Sequence, residues 1–217
     1  MTSPNPEPVV KPWRSPILWP WLGCNLAAFT LATMLCFSVK FSMYNIEMLF
    51  LSGLIVGSIT GWAQAYVLKQ QIPKIRYWQW ILANIIGGYI GIWLGTFGVV
   101  SIAMVGNIMA GLLLYGAILG LIVGLAEAIA LRVHSTGALR WITVNILGRA
   151  LGWGISGFIV QSLFETSFWN NSSSTLLPIP ASFLGGILGG LIYSLVTSLA
   201  LPYLQPKQRS TVAATKP

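Results

Sequence analysis

The chain has 217 residues, of which 55% are hydrophobic and only 7% charged, and its mean hydropathy is +0.76. Soluble domains carry about 25% charged residues, and a soluble fold of this composition would have too little polar surface to cover its apolar material, so a soluble globular domain is excluded. The formal net charge of +8 raises nucleic-acid binding, which the placement of the charges excludes in turn.

In chain order, the first 15 residues hold four prolines together with Glu7, Lys11 and Arg14. Residues 1–16 therefore read as a disordered cytoplasmic tail, not as a signal peptide with its apolar stretch and cleavage site. Six apolar segments follow, at 18–38, 47–68, 78–99, 108–131, 141–163 and 180–203. Each is close to the roughly 20 residues a helix needs to cross about 30 Å of hydrocarbon. A transmembrane barrel would instead show alternating segments of about 10 residues, and these runs are continuous and rich in Gly, Ala, Leu and Ile. Cys24 and Cys36 share the first segment about 18 Å apart, too far for a disulfide, and read as packing residues. Residues 205–217 form a second tail. The expected fold is an all-α membrane protein, a bundle of six transmembrane helices over 17–204.

The basic residues fall between these segments in one pattern. Lys11 and Arg14, then Lys69, Lys74 and Arg76, then Arg132 and Arg140, then Lys207, Arg209 and Lys216 all lie on one side, against Lys40 on the other. By the positive-inside rule that side is cytoplasmic and holds both termini. Attraction to anionic lipid headgroups, about 1 kcal/mol per basic residue near the surface, is a sufficient use of the charge.

The odd segments share a pattern of Trp, Asn four residues on, and small residues at later turns: Trp21, Asn25, Ala28, Ala32, Cys36; Trp80, Asn84, Gly87, Gly91, Gly95; Trp141, Asn145, Gly148, Gly152, Ser156. The even segments share another: Gly53, Gly57, Gly61, Gln64; Gly116, Gly120, Gly124, Glu127; Ser182, Gly186, Gly190, Tyr193. Residues 61–69, GWAQAYVLK, also match 124–132, GLAEAIALR. Three tandem two-helix hairpins follow, at about 17–69, 77–132 and 138–204, all with one orientation because each crosses twice. Their symmetry axis would run along the membrane normal. Small residues every fourth position form a glycine zipper, a groove that lets backbones approach where burial in lipid gives no net drive to associate. A compact ring of six helices is the expected result, with Trp21, Trp80 and Trp141 as anchors at the cytoplasmic boundary.

Asn25, Asn84, Asn145, Gln64, Glu127 and Tyr193 form a polar layer one turn inside that boundary. They read either as hydrogen-bonding clamps, each contributing about 0.6 kcal/mol, or as a binding site or constriction. Arg149, nine residues past Arg140, and Glu127 stand at membrane depth, where an Arg costs about 2.5–3.5 kcal/mol unless it faces the interior and finds a partner. Their counterparts one repeat earlier are Gln64 and Gly88, so both charges are missing together. The two read as a buried pair, with a bidentate Arg–carboxylate contact as its structural form and a site for an anionic or protonatable ligand as its functional one.

Gly154-Ile155-Ser156-Gly157 resembles the GxSG nucleophile motif of rhomboid proteases. That chemistry needs a His base on a later helix, and the single histidine, His134, lies earlier, in a loop. A metal site would need converging His, Cys or carboxylate ligands, and none is spaced to converge, so no cofactor is expected. Asn170 and Asn171 fit a glycosylation pattern that matters only in a secretory pathway. Around them, Phe164, Phe168 and Trp169 of the longest external loop are expected on the membrane surface. Taken together, GxxxGxA(Q/E)AxxL(K/R), a short basic loop and WxxxN over 53–157 resemble uncharacterised small multi-spanning bacterial inner-membrane proteins, a resemblance that implies fold and location only.

The functional expectation is a non-enzymatic structural, assembly or lipid- or pigment-associating bundle in the inner membrane, partnered by the bilayer and by other membrane subunits or itself, and not by nucleic acid. The alternative is a small-solute or ion transporter using Glu127 and Arg149.

Overall fold

In a computed structural model, residues 16–38, 46–103, 107–164 and 179–206 are described. Among them the chain forms six helices and no strand: α1 (Leu18–Ser38), α2 (Ile46–Gln71), α3 (Tyr77–Ala103), α4 (Ile108–Leu131), α5 (Ala138–Phe164) and α6 (Ile179–Ser198), followed by a 3₁₀ turn, Leu201–Tyr203. The tails expected at 1–16 and 205–217, Lys40 and the loop with Phe168, Trp169, Asn170 and Asn171 lie largely or wholly outside the described residues.

Local chemistry sets the ends. Pro73 biases Ile72 away from helical geometry, so α2 stops at Gln71. The Asn107 side chain accepts a hydrogen bond from the Ala110 amide at 3.0 Å and caps α4. Gly137, at φ +84°, supplies the left-handed turn before α5. Pro180 sits in the first turn of α6, where its missing N–H costs nothing. The last helix ends at Ser198, short of the expected 203, because Pro202 cannot donate to the carbonyl one turn back and its ring crowds that position; the chain tightens into the 3₁₀ turn instead.

Each helix packs on its neighbours in sequence, and α6 packs on α1, which closes a ring. Outward faces carry Leu31, Leu94, Phe97, Leu125 and Phe158, all exposed, while Asn, Gln, Glu and Arg side chains are buried inside. This inverts the arrangement of a soluble protein and suits a lipid surround. Five helices (α1, α3, α4, α5 and α6) are long and apolar enough to cross a membrane. Among the described residues the sixth helix, α2, is not one of these five.

Candidate functional site

The ring interior is layered, and the order can be followed along each helix. Trp21, Trp80 and Trp141 belong to an apolar cluster at the end of the bundle that carries the α2–α3 and α4–α5 loops, together with Leu68, Leu131, Leu201 and Leu204. One turn further in come Asn25, Asn84 and Asn145. Beyond them lies a second apolar cluster with Phe29, Ile92, Leu119, Val123 and Trp153. The polar layer is therefore held between two dry clusters about one helical turn to either side.

The three tryptophans are wholly buried, which corrects their expected place as interfacial anchors. Trp141 meets Trp21 edge-on at 5.5 Å and Trp80 at 5.8 Å between ring centroids, so they plug the ring instead of facing headgroups. Burial obliges each indole N–H to find an acceptor. Trp80 Nε1 donates to Gln64 Oε1 at 3.2 Å, Trp141 Nε1 to Glu127 Oε2 at 2.8 Å, and Trp21 Nε1 to Thr197 Oγ1 at 3.1 Å. In every case an even helix serves the odd helix that follows it around the ring.

Thr197, and not Tyr193, thus holds the place of Gln64 and Glu127, and the close backbone crossings agree. A Cβ added at Gly53 would lie 2.9 Å from the Cα of Tyr89, one at Gly116 would lie 2.7 Å from that of Ala150, and one at Gly186 would lie 2.8 Å from that of Thr30. Tyr89, Ala150 and Thr30 each stand five residues past the Asn of their own helix. The contacts of α6 consequently run one turn later than the sequence alignment of Ser182, Gly186, Gly190 and Tyr193. A tyrosine ring is long enough to reach back over that turn and return its hydroxyl to the polar layer.

The layer itself is cross-linked. Asn25, Asn84 and Asn145 each donate Nδ2 to the carbonyl of their own helix's Trp, at 2.9, 3.1 and 3.2 Å, which turns the amide oxygens toward neighbours. Gln64 Nε2 donates to Asn25 Oδ1 at 3.0 Å and to the Tyr193 hydroxyl at 2.7 Å, and that hydroxyl donates to Asn145 Oδ1 at 3.4 Å. Gln64 alone therefore joins α2 to α1, α3 and α6.

Glu127 and Arg149 are both buried in this interior. Among the described residues Glu127 Oε1 has no hydrogen-bond partner, and neither has Arg149 Nε, so the bidentate contact expected between them is absent. The guanidinium instead stands 5.0 Å over the Tyr193 ring, a cation–π arrangement. Its charge acts on both Glu127 and Tyr193, and the amides of Asn84 and Asn145 lie beside the carboxylate. Glu127 and Arg149 thus leave one acceptor and one donor without a hydrogen bond among the described residues.

Ser156 Oγ donates to the Gly185 carbonyl at 2.8 Å, so the hydroxyl of the GxSG stretch fastens α5 to α6. Cys24 is half-buried against the tryptophan cluster, and the Cys36 side chain lies outside the described residues. No group of three or more His, Cys, Asp or Glu side chains converges among the described residues. Two features carried no sequence signal. The first is the aromatic cluster in which Phe29 meets Trp153 and Tyr193 in tilted contacts at 5.2 and 5.4 Å. The second is Gln71, which donates Nε2 to the carbonyls of Leu201 and Leu204 at 3.1 and 3.0 Å and ties the segment after α6 across the end of the ring. The chain matches no family model, no curated protein and no solved structure.

Proposed function

We propose that the chain is a six-span bundle of three tandem hairpins, seated in a bacterial inner membrane with both termini cytoplasmic, and that it works without catalysis as a structural, assembly or lipid- or pigment-associating subunit. The observation that carries this reading is the closure of the interior: the polar layer is hydrogen-bonded at Gln64 and buried between the tryptophan plug and the Phe29–Trp153 cluster. Hydrogen bonding of this kind specifies one packing. α2 is the sixth span because it sits in the ring between α1 and α3 and exposes Leu51, Leu54 and Trp62 outward. Repeated Trp–Asn bonds and equivalent glycine crossings support the hairpin repeat.

Reconstitution into proteoliposomes tests the reading: ion and small-solute flux should equal that of protein-free vesicles, and purification in mild detergent should yield a stoichiometric partner subunit or pigment. A second reading, transport, is favoured by one observation, the unpartnered Glu127 Oε1 and Arg149 Nε in the interior. Solute flux abolished by Glu127→Gln would replace the first reading with the second.

A further inference from the structure

The acceptor and donor left over in the ring interior, Glu127 Oε1 and Arg149 Nε, are without a hydrogen bond among the described residues. Both side chains are buried, at 0% and 3% exposure, where an unsatisfied polar atom is costly, most of all on a charged group. Their positions on the helices explain why they approach without touching. A Cβ at Gly116 of α4 would meet the Arg149 carbonyl of α5, and Gly116 stands eleven residues before Glu127, about 16 Å along the axis. Side chains in a helix lean toward its N-terminus. Because α4 and α5 cross antiparallel, with Gly116, Gly120 and Gly124 meeting Arg149, Asn145 and Ile142 in turn, Glu127 leans toward the level of Arg149 and Arg149 toward that of Glu127. Each is then held by another contact. The Trp141 indole N–H donates to Glu127 Oε2 at 2.8 Å, and the guanidinium rests 5.0 Å over the Tyr193 ring. The Arg149 charge still acts on the carboxylate, with the Asn84 and Asn145 amides beside it.

We propose that a single water molecule bridges Glu127 Oε1 and Arg149 Nε, accepting from the guanidinium and donating to the carboxylate. The two charges select the class of occupant. A cation would meet the like charge of Arg149 and an anion that of Glu127, so the bridging molecule is neutral and offers both a donor and an acceptor. Size narrows it to water, because the tryptophan cluster and the Phe29–Trp153 cluster close over the layer about one helical turn to either side. Buried waters typically make about three hydrogen bonds to polar groups that the protein leaves unsatisfied. The Asn84 side-chain amide beside the carboxylate supplies the third. The bridge completes the charged half of the polar layer: one repeat earlier Gln64 reaches Asn25 and Tyr193 by direct hydrogen bonds, whereas Glu127 reaches Arg149 through the water. It holds whether the bundle is structural or transports a solute, and so goes beyond both readings.

A crystal structure of the full wild-type chain that shows ordered water tests the bridge, and NMR of the isotope-labelled chain in mild detergent gives an independent readout. One density peak should lie about 2.7–3.2 Å from both Glu127 Oε1 and Arg149 Nε. In solution the Arg149 Nε–H should show a dipolar cross peak to water. Direct contact between the guanidinium and Glu127 Oε1, with no density between them, would overturn the bridge, and so would a missing cross peak. Density for an ion or for a molecule larger than water would overturn it in favour of a ligand site. None of these results bears on the number of membrane crossings or on flux, so the bridge can fail while the six-span reading stands.

Discussion

At the scale of single residues, the interior shows how a bundle tolerates charge at membrane depth. Glu127 gives one oxygen to Trp141, and Arg149 leans on the face of Tyr193; neither is neutralised by direct contact, so each depends on the other's field. Removing one charge strands the other, which in buried pairs costs about 3–5 kcal/mol. Glu127→Gln keeps an acceptor for Trp141, as Gln64 does for Trp80, so its effect isolates the charge. We expect Glu127→Gln and Arg149→Gln each to lower unfolding stability in detergent, and the double variant to lose less than the sum, with a coupling of about 1–3 kcal/mol. Strict additivity would show that the charges do not sense each other. Thr197 offers a separate test. Thr197→Val keeps the shape and leaves the buried Trp21 N–H without an acceptor, a loss of about 1–3 kcal/mol, whereas a neutral result would undo the one-turn offset of α6. Asn25, Asn84, Asn145, Gln64 and Glu127 were legible because their spacing from a Trp or a Gly repeats. Thr197 was not, because a tyrosine one turn away mimics the polar position in sequence and only three-dimensional contacts separate the two.

At the scale of helices, the small-residue faces decide which neighbours meet. A Cβ at Gly120 would lie 2.7 Å from the Cα of Ile146, and one at Gly57 would lie 2.7 Å from that of Ile85. Backbone has no rotamer with which to yield, so the helices themselves must part. Gly120→Ala is expected to cost about 1–3 kcal/mol, the range for overpacking. Gly23 is the control, since nothing lies within 4 Å of a Cβ there, and Gly23→Ala should be neutral or stabilising by up to about 1 kcal/mol through helix propensity. Thermal unfolding of the two variants side by side checks both signs, and equal shifts would mean that the groove does not set the crossing distance. The four-residue period made these faces readable from the chain alone. The true end of α6 was less so, because Leu201, Pro202 and Tyr203 are as apolar as the helix before them and only the proline's geometry breaks the run. The inward turn of the tryptophans was hidden for a related reason: an aromatic at the end of an apolar segment satisfies an interfacial position and a buried plug equally well.

For the whole molecule, the decisive fact is that α6 returns to α1, since closure is what hides the polar layer from lipid and lets three helices share Gln64. Nothing local encodes that return. It follows from the grooved face of α6, where Gly186 and Gly190 meet α1, so that α1 takes the place held by α3 beside α2 and by α5 beside α4. Gln71 and Thr136, which fasten the segment after α6 from the end of α2 and from the α4–α5 loop, were illegible for the same reason, as their partners lie far away in sequence. The proposed ring of hairpins with one orientation carries a strict consequence for topology. The loops around Lys74 and Arg140 must face the same aqueous compartment, since α3 and α4 together make one return crossing. In a chain with Cys24 and Cys36 replaced by alanine, single cysteines at Lys74→Cys and Arg140→Cys should both react with a membrane-impermeant maleimide in inside-out vesicles and both resist it in intact cells. Labelling of the two from opposite sides would require an odd number of crossings between them, and then neither the parallel hairpins nor a shared polar layer one turn below the tryptophans could exist.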